Sequence, residues 1–424
     1  MAGTGTLEQP DGQAFARRLA VIFLLALILR LGIRLATGVE DYWTEGYTQY
    51  AELAASLAAG NGYAFPGEAP TAFRVPLYPL FIALVTWGSG NPWPLIVAQG
   101  LVASGLAVVA GLIARRLYGP AAGLVAAAWC AAFPYYAWHH LALVESALFA
   151  FLTAVATLLL LGLRERPGPW LAVATGVALG AALLTRAMLL PFAVLAVAWL
   201  LLPGPRAPSL RRRLASAALV AAAMIAVLSP WLIRSQELTG SYVLGTEGGQ
   251  SLYAGASPLL FAKFPAGTVD ESRELVFARI SPRDAAARDS YSRGNPARES
   301  DWYTRQAVEL IEADPAGYAA RAVRKLTIAF GPLPAPRQGS IANAGYAAWW
   351  VPLLLLGLAG AWRDRREWRR NLLIGAHFAA FGAVTALIWA QTSHRSYLDV
   401  YLMVLAAPVL VSLLPARLRG WLAR

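Results

Sequence analysis

Three acidic residues lie where a carboxylate is placed to take a proton from a substrate. Asp41 and Glu45 fall in a stretch rich in acids and aromatic side chains, and Glu145 stands at the start of an apolar run. Apolar surroundings raise the pKa of a carboxylate, as a general base requires. Acids are also favoured near helix N-termini, so Asp41 and Glu45 have a structural alternative. A carboxylate entering an apolar helix is costly, which makes Glu145 the sharper candidate.

The preferred base is Glu45. Aromatic and apolar residues recur at helical spacing from Thr44 to Ala59, and glycines follow, which predicts a helix over that range. Glu45 then lies at the helix N-terminus with a fixed backbone, whereas Asp41 lies in a turn. We therefore expect Glu45 to be the base, Asp41 to be the alternative and Glu145 to orient a substrate or a first-loop group.

Several arginines lie at the ends of apolar runs and are candidates for binding an anion. Arg74, Arg186 and Arg395 each stand at such an end, and Arg30 and Arg34 share one face of the first run. The planar guanidinium donates two parallel hydrogen bonds to a phosphate. The alternative is that these long side chains reach toward lipid headgroups. Together they predict a phosphate pocket.

Two adjacent histidines, His139 and His140, precede Glu145 and are predicted to contact substrate. Neighbours in a helix point in different directions, whereas a metal-binding pair prefers i, i+4 spacing, so no metal site is predicted. The single cysteine, Cys130, excludes an intrachain disulfide and a cysteine-based zinc site.

These residues must be held by membrane helices. The 424-residue chain is 58% hydrophobic and 14% charged, whereas about a quarter of the residues in a soluble domain are charged. This composition excludes a disordered chain, a coiled coil and an ordinary soluble enzyme, and it predicts an all-α polytopic membrane protein. Ten apolar runs are long enough to span a bilayer: 16–36, 95–114, 120–138, 143–163, 168–185, 187–203, 213–233, 346–362, 371–391 and 396–415.

The arginines set the orientation of these spans. The net charge of +12 is compatible with nucleic-acid binding, but alternate turns carry the basic residues, as cytoplasmic loops do, and no nucleic-acid partner is expected. Both termini are then cytoplasmic, and the first run is an uncleaved span. Counting the short run Pro76–Trp87 as a span breaks the alternation, so it is interpreted as interfacial or re-entrant. The cytoplasmic arginines are Arg17, Arg18, Arg115, Arg116, Arg164, Arg166, Arg206, Arg211 to Arg213, the group from Arg363 to Arg370, Arg417, Arg419 and Arg424.

The chain divides into three parts. Residues 1–233 form a transmembrane module with a first outer loop at 37–94, residues 234–345 form an extracytoplasmic segment, and residues 346–424 carry the last spans. Acidic and basic residues are nearly balanced in 234–345, which indicates a solvated segment large enough for a small subdomain.

An ordered set of short motifs resembles bacterial GT-C glycosyltransferases of the protein-mannosyltransferase and aminoarabinose-transferase type. The resemblance covers most of the chain, although Glu45 stands where the family usually has Asp. The motifs, in order, are Tyr50–Tyr63, Pro70–Ala72, Pro76–Leu80, Leu143–Phe149, Leu184–Arg186, Pro230–Arg234 with Gly240 and Gly248–Tyr253, and His394–Tyr397.

The resemblance implies a GT-C fold with about ten transmembrane helices, juxtamembrane helices in a long first outer loop and a small extracytoplasmic segment. It implies a hexosyl or pentosyl transferase that moves a sugar, with inversion, from a polyprenyl-phosphate donor to a saccharide, glycolipid or protein acceptor. Tyr50 and Tyr397 join the substrate-binding residues by this resemblance. No cofactor is expected, and dependence on a divalent metal stays open.

The implied location is the bacterial plasma membrane, in contact with its lipids, with the active site facing the exterior. Two alternatives remain open: a transporter or flippase of lipid-linked saccharides, and a polymerase or ligase of surface polysaccharide. Convergence of Glu45, Glu145 and the outer arginines in one outer cavity favours a transferase over a transporter.

Overall fold

Ten main apolar helices form the bundle in the part of the chain that the structure describes. The computed structural model describes residues 10–44, 46–203, 208–335, 339–389 and 391–423. Within them, each of the ten predicted apolar runs forms one main helix. These helices are α1 (Pro10–Thr37), α4 (Trp93–Tyr118), α5 (Pro120–Ala132), α7 (Ser146–Glu165), α8 (Pro169–Leu183), α9 (Leu190–Leu201), α10 (Leu210–Thr239), α16 (Ser340–Arg363), α17 (Leu372–Leu387) and α19 (Asp399–Leu413).

Length and composition identify a multi-pass membrane protein. Six helical stretches of the described chain are long and apolar enough to cross a bilayer, the last of them running from Thr392 to Leu413. The other four of the ten, α5, α8, α9 and α17, are apolar helices of 12 to 16 residues. The predicted all-α polytopic class is confirmed.

Prolines start several of these helices. A proline at the first helical positions removes no intrahelical hydrogen bond, because the first N–H groups of a helix have no acceptor. Helices α4, α5, α8 and α9 each have a proline in their first two positions. The prolines therefore mark in the sequence where these four helices begin.

One face carries a layer of short helices that we call the cap, made of residues 38–44, 46–92 and 240–335. Helix α2 begins at Thr48, four residues later than predicted, and α3 is the short run predicted to be interfacial. The cap helices are α2 (Thr48–Ala58), α3 (Leu77–Thr86), α11 (Gly248–Ala256), α12 (Val269–Ala278), α13 (Pro282–Ser292), α14 (Pro296–Ala313) and α15 (Pro315–Ala329). Beside the cap lie α6 (Pro134–His139) and α18 (Thr392–Arg395), and α20 (Ala416–Ala423) ends the chain.

The predicted cytoplasmic arginines gather on the face opposite the cap. Arg116 pairs with Glu165 at 2.7 Å, and Arg164 donates a hydrogen bond to the Trp199 carbonyl at 2.7 Å. The Arg18 guanidinium donates a hydrogen bond to the carbonyl of Trp421, near the other end of the chain. Arg206 and Arg424 lie outside the described residues. The basic turns are thus brought together, as the alternation of charge requires.

We predict that this arginine-rich face is cytoplasmic and that the cap is external. Reporter domains fused after Arg116, Arg166, Arg213 and Arg370 should give a cytoplasmic signal, because positively charged turns are retained on that side. A fusion within 280–295 should give an external signal. An external signal at any of the four arginine positions would contradict the count of ten spans.

Candidate active site

The first loop is pinned to the start of α7 by backbone contacts. Gly46 forms a parallel bridge with Leu143, and the Tyr47 N–H donates to the Leu143 carbonyl at 3.2 Å. Gly46 has a φ of +83°, and a Cβ there would lie 2.8 Å from the Leu143 carbonyl oxygen. Only glycine fits this close approach without strain. The contact places Tyr47 beside Glu145, two residues beyond Leu143.

A buried ion pair joins Glu145 to Arg186. Helix α8 ends at Leu183, and Arg186 lies just beyond it in extended conformation. Its Nε donates to Glu145 Oε1 at 2.5 Å, and its Nη1 donates to the Ser393 carbonyl at 3.3 Å. Both side chains of the pair are less than 10% exposed. The pair therefore connects α7, the turn after α8, and α18.

Arg74 enters the same region from the cap. Its Nη1 donates to the Tyr50 hydroxyl at 2.9 Å, and its Nε lies 3.5 Å from Glu247. The Tyr63 hydroxyl donates to the Arg74 carbonyl at 3.1 Å. Arg234 of α10 anchors the same loop by donating to the Thr71 carbonyl at 2.8 Å. The Arg74 backbone is thereby fixed against the end of a spanning helix.

Helix α12 contributes two residues that the sequence motifs did not identify, Asp270 and Arg273. The Asp270 carboxylate accepts a hydrogen bond from Gln391, and burial raises its pKa above the ordinary value. Arg273 lies near the rings of Phe277 and Trp389, and it forms no ion pair with a carboxylate of the described chain. No spacing signal marks these residues, because 234–345 has the charge pattern of a solvated segment.

These side chains surround a cavity of about 270 Å³ at the cap end of the bundle. Three arginines reach it from three separate elements, together with three carboxylates. The charged and polar residues that line it are Tyr47, Tyr50, Arg74, Glu145, Thr185, Arg186, Glu247, Ser251, Asp270, Arg273 and His394. We call this the arginine cavity. Its residues can hold an anionic group next to hydrogen-bond acceptors.

A second cavity, of about 680 Å³, adjoins it. Tyr47 and Asp270 line both cavities, and His139 lines only this one. The His139 ring stacks on Tyr135 with centroids 4.8 Å apart, and its Nε2 lies 3.3 Å from Ser146 Oγ. We call this space the aromatic cavity, because Tyr135, Trp138 and Tyr346 also form its wall.

The structure separates the predicted site residues into groups. Arg74, Glu145, Arg186 and Tyr50 line the arginine cavity, and His139 lines the aromatic cavity. Asp41 is exposed on the cap and lines neither. Glu45 lies outside the described residues, so its assignment as the base stays a prediction.

Three predicted site residues point into the bundle instead. Arg395 is fully buried, pairs with Asp399 at 3.3 Å and stacks 3.3 Å from the centroid of the Trp350 ring. The i, i+4 spacing puts Arg395 and Asp399 on one helical face, which turns away from the arginine cavity. His140 stacks on Tyr136, and Tyr397 packs edge-on against Phe149.

The electrostatics distinguish the two inner carboxylates. Burial raises the pKa of Glu145. Arg186 and Arg74 together lower that pKa by more than burial raises it, so it lies below the ordinary value. Glu145 therefore stays ionised, and a carboxylate with a lowered pKa is a weak base. Its second oxygen, Oε2, is buried without a hydrogen-bond partner in the described chain, and Glu145 lines the arginine cavity. This arrangement suits orientation of a substrate better than proton removal.

Within the described ranges, no group of three or more His, Cys, Asp or Glu side chains is arranged to bind a metal ion. The guanidinium groups of the arginine cavity can donate paired hydrogen bonds to an anion.

Comparison with known protein families gives a match over the part of the chain that contributes the first charged residues of the arginine cavity. Residues 71–233 match the family model of dolichyl-phosphate-mannose-protein mannosyltransferases. This stretch includes Arg74, Glu145 and Arg186. No curated protein matches the chain significantly. The predicted resemblance to GT-C membrane glycosyltransferases is confirmed.

Solved structures share the architecture. The archaeal oligosaccharyltransferase AglB from Archaeoglobus fulgidus, in complex with an inhibitory peptide and a dolichol-phosphate, matches with a TM-score of 0.56 and 13% identity. The match covers 96% of this chain and 51% of that one, so this chain spans about half the length of AglB. ArnT from Cupriavidus metallidurans, bound to undecaprenyl phosphate, matches with a TM-score of 0.40 and 16% identity over 95% of this chain and 78% of that chain. The AglB match confirms the predicted GT-C fold.

The ion pair predicts a specific dependence of stability on pH. At pH 7, Glu145→Gln should lower the free energy of unfolding by about 3–5 kcal/mol, because it leaves Arg186 buried without its partner. The pKa of Glu145 is depressed by folding, so the stabilisation is present above the unfolded pKa and is lost as pH falls through the folded pKa. The difference in melting temperature between variant and wild type should therefore shrink as the pH falls below the ordinary glutamate pKa of about 4.3.

The matched control is Glu165→Gln on the opposite face. Glu165 also pairs with an arginine, Arg116, but its side chain is 56% exposed. Exposed pairs contribute roughly 0–1 kcal/mol, so this variant should melt close to wild type. Equal losses in the two variants would show that burial of the Glu145 pair has no special effect.

Proposed function

We propose that this chain, which resembles the GT-C membrane glycosyltransferases, transfers a sugar from a polyprenyl-phosphate donor to an acceptor hydroxyl. The observation that carries the proposal is the convergence of Arg74, Arg186 and Arg273 in one cavity at the cap end of the bundle. Arginines from three elements in one partly apolar cavity suit a phosphate on a lipid, and membrane helices give a lipid access.

The arginine cavity has a role for each arginine. Arg186 and Arg74 are held by Glu145 and Glu247, which fixes their positions before substrate arrives. Arg273 has no ion-pair partner among the described carboxylates, and its Nε is buried without a hydrogen-bond partner there. A phosphate can accept the hydrogen bond that the Arg273 Nε does not make within the described chain. In the reaction, the three guanidinium groups stabilise the negative charge that develops on the leaving phosphate.

The reaction is a displacement at the anomeric carbon. The acceptor oxygen forms a bond to that carbon while the bond to the phosphate oxygen breaks, and the electron pair leaves with the phosphate. A first-loop acid takes the acceptor proton. We assign that role to Glu45, because Gly46 and Tyr47 hold the adjoining backbone against the cavity wall. Attack opposite the leaving group gives inversion.

Placement of the site favours a transferase over a transporter. A transporter needs a binding site near the middle of the membrane, between repeats that rock around it. Here the charged residues gather at the cap end, where α7, α8 and α18 meet the cap. With the arginine-rich face in the cytoplasm of a bacterium, the site opens to the exterior of the plasma membrane.

The phosphate assignment predicts the effect of Arg273→Lys. Lysine keeps the charge but loses the bidentate fork, so the dissociation constant for undecaprenyl phosphate should rise roughly tenfold. Arg279→Lys is the matched control, because Arg279 follows the same helix and is exposed. Binding to purified protein in lipid nanodiscs measures both variants. Equal affinity of Arg273→Lys and wild type would remove Arg273 from the phosphate site.

The base assignment predicts a loss of rate rather than of binding. Glu45→Gln keeps the shape and removes the basicity, so turnover should fall by about 10²–10⁴-fold while undecaprenyl phosphate still binds. Asp41→Asn should cost less, because Asp41 lines neither cavity. Release of polyprenyl phosphate from a panel of polyprenyl-phosphate sugars measures turnover. A dead Asp41→Asn beside a nearly normal Glu45→Gln would reverse the assignment.

A further inference from the structure

The two cavities meet at a shared wall. Tyr47 and Asp270 line both the arginine cavity and the aromatic cavity. Tyr47 comes from the first loop and Asp270 from α12, so two separate parts of the cap form this junction. A group bound in one cavity and a group bound in the other can therefore approach each other only beside these two side chains.

The aromatic cavity differs chemically from the arginine cavity. None of the described residues lining it is Arg or Lys, and Asp270 is the one carboxylate among them. Its wall is formed by α6, α18 and the first turns of α16, mostly with aromatic, proline, alanine and glycine residues. His139 and residues 391–393 are its uncharged polar members. Cavities of this kind bind largely apolar ligands and fix them with a few polar groups. A second phosphate has no cationic partner here.

Its position indicates a ligand that comes from the membrane interface. Trp138 lies on the wall and is 52% exposed, and the α16 residues of the wall belong to the cap end of a spanning helix. Indole rings favour the boundary between lipid and water. The cavity therefore suits a molecule with an apolar part at the interface and a polar part that reaches inward.

Asp270 is the charged group at the end where the aromatic cavity meets the arginine cavity. Its carboxylate is half-buried and accepts a hydrogen bond from Gln391, which lines the aromatic cavity. An ionised carboxylate accepts several hydrogen bonds, so it has capacity for a hydroxyl of a ligand. Tyr47 completes this end, because its backbone is pinned at Leu143 and its side chain lines both cavities.

We propose that the aromatic cavity is the acceptor site for an uncharged amphipathic sugar, and that Asp270 accepts a hydrogen bond from a sugar hydroxyl next to the attacking one. The inference rests on the proposed function, which places the donor phosphate in the arginine cavity. The acceptor oxygen then attacks the anomeric carbon from the side opposite the phosphate. Its proton goes to the first-loop base, and the electron pair of the broken bond leaves with the phosphate.

Two glycines allow each cavity to be blocked separately. Gly345 lines the aromatic cavity and Gly248 lines the arginine cavity, and a Cβ at either position has no atom within 4 Å. Phenylalanine at either position therefore fills cavity space without a clash at its Cβ. Ala342→Phe on the same wall as Gly345 is a second blocking variant in case Gly345→Phe misfolds.

The experiment measures binding of two probes to full-length protein in lipid nanodiscs: octyl β-D-glucopyranoside below its micellar concentration, and undecaprenyl phosphate. Gly345→Phe should weaken glucoside binding at least about tenfold and leave phosphate binding within about twofold of wild type. Gly248→Phe should do the reverse. Asp270→Asn should weaken the glucoside several-fold, and Glu271→Gln, the exposed neighbour, should not.

The outcomes separate this inference from the proposed function. Glucoside binding that is absent in wild type, or unchanged in both Gly345→Phe and Ala342→Phe, overturns the acceptor site while the phosphate site stands. If Gly345→Phe instead loses undecaprenyl phosphate binding and keeps glucoside binding, the lipid donor lies in the aromatic cavity. That result also overturns the acceptor site. Failure of wild type to bind undecaprenyl phosphate would instead contradict the proposed function.

Discussion

The ion pair between Glu145 and Arg186 is the interaction on which the site depends. Two buried charges are stable in a mostly apolar bundle only when each satisfies the other and further hydrogen bonds complete them. Arg186 meets this condition by contacting Glu145 and the Ser393 carbonyl, which come from distant parts of the chain. The need to pair these charges therefore fixes the relative positions of α7, α8 and α18, and it leaves one oxygen of Glu145 for the cavity.

The way its charges are paired explains how the arginine cavity can take an anion. Glu145 and Glu247 pair with Arg186 and Arg74, so four of the six charges offset each other. Asp270 is engaged by Gln391, a neutral donor, and Arg273 is left beside aromatic rings without a paired carboxylate. The six charges already sum to zero, so a phosphate would bind here through the hydrogen bonds that Arg273 can still donate, not through an excess of positive charge. The paired arginines need no rearrangement to contribute, which is the condition for strong electrostatic stabilisation of a leaving group.

The sequence was sufficient for the bundle and for half of the site. Apolar length and arginine alternation predicted the spans because bilayer thickness and charge impose strong rules. Glu145, Arg74 and Arg186 were accessible because each is an ionisable residue at the end of an apolar run. Asp270 and Arg273 were not, since nothing distinguishes them from the other charges of a solvated segment. The sequence also did not show which way the Arg395 side chain points, because that depends on its ion pair with Asp399, one helical turn later.

The most direct measurement is an experimental structure of the protein in a lipid nanodisc with undecaprenyl phosphate bound. We expect the phosphate to lie in the arginine cavity, within hydrogen-bond distance of Arg186 and of Arg74 or Arg273, with the polyprenyl chain leaving toward the lipid. A phosphate held among the arginines of the opposite face, or in the aromatic cavity, would contradict the account.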